Sequence, residues 1–231
     1  MALRRDQKSL LVAGVLSVLF WTIQPLRLLI LPLVYLNTHI HELCHALAAW
    51  ATGGQVEYIK VFANGSGVTP VLGGSLIALA SAGYVGSAAV GGAIVALSGS
   101  AKWARICLMA LCALLGFSVL LFVRGDSIGV FTGIGWCALL GFLAFKLPQN
   151  SVILTSQILG VQLGLTSVQS VLTLVKVAVA TESHSDALLM QNATGVPDIV
   201  WAVLWMAVGF VCVGFGVWWA WRSPSKVHGA A

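Results

Sequence analysis

The chain is 231 residues long, 59% apolar and only 8% charged, with 12 Lys+Arg against 7 Asp+Glu and a formal net charge of +5. Mean hydropathy is +0.97. A soluble globular domain is about 25% charged, so the composition excludes one, along with a disordered tail, a coiled coil and a disulfide scaffold. It predicts an integral membrane protein. At roughly 20 residues per spanning helix, the expected fold is an all-α polytopic bundle of about six or seven transmembrane helices. The Lys and Arg are scattered and make no patch for nucleic acid. The cysteines, Cys44, Cys107, Cys112, Cys137 and Cys212, lie in apolar stretches where disulfides are not expected.

Arg4, Arg5 and Lys8 precede an apolar run with no small-x-small cleavage site after it, so residues 9–23 are expected to be an uncleaved first span. Pro25 and Arg27 mark a break. The second span, 28–51, ends at Thr52-Gly53-Gly54, as a glycine C-cap would. Residues 56–71 alternate apolar and polar around an Asn64-Gly65 turn and predict a small β-hairpin at the membrane edge. Span 76–97 carries Gly83, Gly86, Ser87, Gly91 and Gly92, small residues that let helices approach closely in lipid. Spans 103–123 and 128–145 follow, separated by Arg124-Gly125-Asp126. Span 152–174 is polar for its class, with Gln157, Gln162 and Gln169, and is expected to face other helices or a cavity. Span 199–221 has Trp201 and Trp205 at one end and Trp218, Trp219 and Trp221 at the other, read as interfacial belts. Residues 222–231 are a polar tail, and a single domain covers 1–231.

One segment carries chemistry. His41-Glu42-Leu43-Cys44-His45 is H-E-x-x-H within an apolar helix. The i, i+4 spacing puts both imidazoles on one helix face, as two zinc ligands require. Glu42, beside His41, can serve as general base toward a water and later give its proton to a leaving amine. As a structural residue it would be an unpaired carboxylate in the bilayer, which is costly. A catalytic zinc takes three protein ligands and keeps a position open. Candidates for the third are Asp186, His184, Asp198, Asp126, Glu182 and Glu57. With one crossing per span, the end of span 28–51, the hairpin, the 124–126 turn and the stretch 177–197 share a side, so the third ligand comes from that set. Arg124 is a strong ion-pair partner for Asp126, Glu57 alternates outward near Lys60, and Asp198 suits a helix N-terminus. Ser185-Asp186 also resembles a helix cap. His39 is about 200° round the helix from His41 and reads as a packed residue.

His41 to His45 with Ala46-Leu47-Ala48-Ala49 and Thr52-Gly53-Gly54 resembles the first core helix of the site-2 protease superfamily of intramembrane zinc metalloproteases. Gly67-Val68-Thr69 followed by Ala82-Gly83-Tyr84-Val85-Gly86-Ser87 resembles the next segment of its compact bacterial-type branch, which lacks a PDZ domain. Ser185-Asp186-Ala187, Thr194-Gly195-Val196-Pro197 and Trp201-Ala202-Val203-Leu204-Trp205 resemble its distal motif. The resemblance implies Zn2+ held by His41, His45 and Asp186, Glu42 as catalytic acid/base, and a membrane-anchored protein as substrate.

A helical substrate must unwind to expose a carbonyl, and the hairpin is expected to bind the unwound strand by β-augmentation through Ile59 and Val61. If the N-terminus is inside, Arg4, Arg5, Lys8, Lys60, Arg124 and Lys176 are inside, while Arg27, Lys102, Arg105, Lys146, Arg222 and Lys226 are outside. The basic N-terminal cluster breaks that tie in favour of N-inside. The hairpin and Asp186 then lie on the cytoplasmic side of a bacterial plasma membrane, in agreement with the resemblance. The competing reading is a zinc-binding membrane protein without peptidase activity, a metal carrier or regulatory scaffold.

Overall fold

The computed structural model describes residues 3–22, 30–165 and 185–222. Glu182, His184, Arg27, Lys176, Lys226, Gln169 and the latter part of the expected span 152–174 lie outside these residues. The chain is mostly helical. Its helices are α1 (Arg5–Thr22), α2 (Leu31–Ala51), α3 (Leu76–Leu97), α4 (Ala101–Leu121), α5 (Ser127–Lys146), α6 (Gln149–Gly164), α7 (Asp186–Thr194) and α8 (Asp198–Arg222). Local chemistry sets several boundaries. Ser75 caps α3 by accepting from the Ala78 N–H, and Ser100 caps α4 by accepting from the Trp103 N–H, each at 3.5 Å. Asp126 caps α5 through the Gly129 N–H. At the end of α2 the chain turns through Gly53 at φ 80, and the Gly54 N–H returns to the Ala49 carbonyl at 2.8 Å.

Among the described residues four helices, α3, α4, α5 and α8, are long and apolar enough to cross a membrane, against the six or seven expected. Three other described helices differ from these in composition or described length. α1 opens on Arg5, Asp6 and Lys8, α2 holds the polar motif, and α6 has 16 residues. The apolar faces of the four point outward. Leu120 on α4, Phe131 on α5 and Val211 on α8 are 81%, 75% and 69% exposed. A soluble monomer rarely presents such continuous apolar surface, so the protein is integral to a membrane.

Residues 55–72 form the small hairpin, in two short ladders. β1 (Gln55–Val56) pairs with β4 (Val71–Leu72), and β2 (Lys60–Val61) pairs with β3 (Gly67–Val68), both antiparallel. The register slips by one residue between the ladders, which leaves Tyr58 and Ile59 opposite Thr69. Ile59 turns the other way and forms a parallel bridge with Val123.

α3 is the central helix, packing against α2, α6 and α8. Its glycines allow this. A Cβ at Gly91 would strike the backbone of Gly160 and Gly164 on α6, and one at Gly92 would strike the Cys212 carbonyl on α8. A second core of Leu36, Ile40, Leu108, Leu111, Leu115 and Leu140 joins α2, α4 and α5.

Two expectations are corrected. Trp205 is not an interfacial belt residue: it is 2% exposed and donates to the Ser81 hydroxyl at 3.2 Å. The N-terminus does not share an end with the hairpin. Arg4 donates to the Ala220 carbonyl at 3.0 Å, at the C-terminal end of α8, and Leu10 packs with Val95, Val161 and Ala220. The hairpin and α7 lie at the opposite end, beside the starts of α3 and α8. Counting one crossing per span therefore misplaces the N-terminal cluster, because α1 runs alongside α6 from the far end.

Gly91→Ala is expected to destabilise the protein by about 1–3 kcal/mol, the usual cost of overpacking, because the obstructing atoms are backbone. Thermal unfolding in detergent, compared with Gly141→Ala where a Cβ meets open space, checks this.

Candidate metal centre

α2 carries His41 and His45 one turn apart, with Glu42 between them in sequence. His45 and Glu42 are buried, and His41 is half-buried. The third residue comes from α7. Ser185 is the N-cap there, accepting from the Leu188 N–H at 3.2 Å, so Asp186 is not the cap but the first helical residue. Ala187 and Met190, the buried face of α7, pack with Ala80 and Trp205. That contact turns Asp186 toward α2. Its Oδ2 lies 3.2 Å from His41 Nε2 and 3.3 Å from His45 Nε2.

The donor set fits zinc. Two donors each about 2.0–2.1 Å from a tetrahedral ion stand roughly 3.3 Å apart, close to the separations of Asp186 from both histidines. All three donor atoms fall within 4.8 Å of one another. His45 Nδ1 donates to the Leu79 carbonyl at 2.7 Å, which leaves the Nε2 lone pair facing the site, as the hydrogen bond on the far ring nitrogen does at zinc histidines. Gly83 on α3 supplies the room: a Cβ there would run into the Nε2 atoms of both histidines. The His41 ring also meets Tyr84 edge-on, with centroids 4.6 Å apart, and Tyr84 stacks on Trp205.

Glu42 is held from the hairpin. Its Oε2 accepts from the Thr69 hydroxyl at 2.7 Å. Gly67 lets the strand lie against it, since a Cβ at Gly67 would be 2.6 Å from Glu42 Oε1. Among the described residues Oε1 accepts no hydrogen bond.

The other candidates sit elsewhere. Asp126 caps α5 and accepts from the Val61 N–H at 3.3 Å, and Arg124 donates to the Leu121 carbonyl at 3.1 Å, so the expected ion pair between them is replaced by backbone contacts. Asp198 accepts from the Ile199 N–H at 2.6 Å, and Glu57 is exposed. His39 packs on α5, where Thr132 gives its proton to the Ile128 carbonyl and so accepts from His39 Nε2 at 3.0 Å. Ile59 and Val61 are 0% and 1% exposed, in a cluster with Leu43, Phe122 and Val123. The Ile59 N–H donates to the Phe122 carbonyl at 2.8 Å, and its carbonyl accepts from the Arg124 N–H at 3.3 Å. The strand edge expected to receive substrate at Ile59 and Val61 is therefore already occupied. Thr69, Leu79 and Tyr84 had no role assigned from sequence, and Gly83 was read only as a small residue for helix packing. Thr69, Gly83 and Tyr84 all stood within the segments that carry the resemblance, but nothing in a one-dimensional pattern ties Thr69 to Glu42.

A family model for Peptidase M50B-like proteins matches residues 11–216. The chain belongs to that family, and so to the site-2 proteases. No curated protein and no solved structure matches it significantly.

Asp186→Asn is expected to weaken zinc binding at least about 10-fold, the low end of what even a supporting residue costs. Asp198→Asn should leave it unchanged. Competition with a zinc indicator dye in detergent measures both.

Proposed function

We propose that this protein is an intramembrane zinc endopeptidase of one domain spanning 1–231, acting in a bacterial plasma membrane on membrane-anchored proteins. The observation that carries the reading is the meeting of His41, His45 and Asp186 donors beside a carboxylate held by Thr69. Zinc, when bound, supplies Lewis acidity that polarises a carbonyl and eases deprotonation of water. The rest belongs to the chain. His41, His45 and Asp186 hold the ion. Leu79 fixes the tautomer of His45. Thr69 holds Glu42 through Oε2, and Oε1 takes a proton from the attacking water and returns it to the leaving amine.

Substrate strands are assigned to the outer edge of residues 67–71 in place of Ile59 and Val61. Since Phe62 donates to Ser66 across the turn, alternation in an antiparallel ladder aims the backbone groups of Gly67 away from β2. The N–H and C=O of Thr69 likewise bond no described residue. This edge runs beside Glu42, so a peptide added to it lies at the reacting groups. Val71→Pro removes an outward N–H from this edge without breaking the β1–β4 ladder. It is expected to lower the cleavage rate at least about 10-fold, as losing roughly one 1.4 kcal/mol hydrogen bond would, with zinc content retained.

The direct test is Glu42→Gln with a membrane-anchored reporter. The variant should keep stoichiometric zinc and lose cleavage by about 100-fold or more, the range of a general base. Unchanged cleavage excludes Glu42 as the base. Zinc binding with no cleavage by the wild type favours the carrier or scaffold reading.

A further inference from the structure

The basic residues are not scattered once the chain is folded. Arg4, Arg5 and Lys8 open α1, Lys102 and Arg105 open α4, Lys146 closes α5 and Arg222 closes α8. All of these ends are at one end of the bundle. Arg4 reaches the Ala220 carbonyl of α8, and Arg105 reaches the Ala144 and Leu147 carbonyls at the end of α5. Arg5, Lys8, Lys102, Lys146 and Arg222 are exposed there. At the opposite end, with the hairpin, α7 and the metal-ligand cluster, the described cations are Lys60 and Arg124 alone.

Short loops and helix ends rich in Lys and Arg stay on the cytoplasmic side, and Asp and Glu weigh little in that choice. We infer that the metal-ligand end of this protein faces away from the cytoplasm. Resting on the peptidase reading above, this names a substrate class: membrane-anchored proteins whose scissile segment lies in the outer half of the bilayer, with the released part leaving outward. The orientation is the reverse of the cytoplasmic placement expected from the sequence and from the resemblance; the charge part of that expectation set the N-terminal cluster on the hairpin side. The contact between Arg4 and Ala220 sets it at the other end.

The orientation test uses the full chain in a bacterial host and needs no proteolysis, so it fails or succeeds independently of Glu42→Gln. Glu57→Cys, on the exposed hairpin, should react with a membrane-impermeant maleimide in intact cells, and Lys102→Cys only after permeabilisation, each against the wild-type background. Green fluorescent protein fused after Ala231 should fluoresce, and alkaline phosphatase at the same point should be inactive. The reverse labelling, or an active phosphatase fusion, overturns the orientation. For the substrate class, a reporter with its cleavable segment in the outer half of the bilayer should be cut, and cutting confined to an inner-half reporter overturns it.

Discussion

A carboxylate and two imidazoles inside an apolar bundle must find partners within the protein, because the hydrocarbon offers none. Much of the architecture near the site answers to that requirement. Glu42 is met by Thr69, which is why a hairpin folds back onto the middle of a helix that would otherwise face lipid. His45 is met by the Leu79 carbonyl, which brings the first turns of α3 against α2. Both histidines are met by Asp186, which brings α7 down onto the same spot. Glycine stands at Gly67 and Gly83, where these approaches leave no room for a side chain.

The same economy governs the other polar residues. Asp126 would be a stranded charge at the end of a spanning helix, and it is spent on capping α5 and on the Val61 N–H. Arg105 covers carbonyls at the C-terminal end of α5 that the helix cannot satisfy itself. Ser98 and Ser156 bond one another at 2.7 Å where α3 meets α6. The scarcity of charge in the composition thus becomes a rule of placement: Glu42, His45, Asp126, Arg105 and Ser98 each tie two elements together.

How much of this was readable beforehand depends on whether the signal was local. α3, α4 and α5 were legible because each is a long apolar run, the last two divided by the polar turn Arg124-Gly125-Asp126. The motif on α2 was legible because Glu42 has no bland explanation in lipid. Asp186 stood among several acids, and the resemblance singled it out. What failed was non-local. Asp126 looked like a partner for Arg124, since adjacency in sequence does not reveal the extended backbone that makes a cap. Ile59 looked like a free edge because its partner, Val123, lies far along the chain. Trp205 looked interfacial because a tryptophan near a helix end usually is, whereas here Tyr84 and Ser81 draw it inward.

The three donors stand on supports of unequal strength. His41 and His45 share one helix, so their spacing is fixed by backbone geometry and survives any motion of the bundle. Asp186 stands on α7, a nine-residue helix bounded by the Ser185 cap and by Gly195 at φ 73, and seated through Ala187 and Met190. A helix that short has little stability of its own and depends on the Trp205 contact. The third donor therefore reaches the two that α2 fixes only through the seating of Ala187 and Met190 against Ala80 and Trp205, a tertiary contact rather than a backbone spacing.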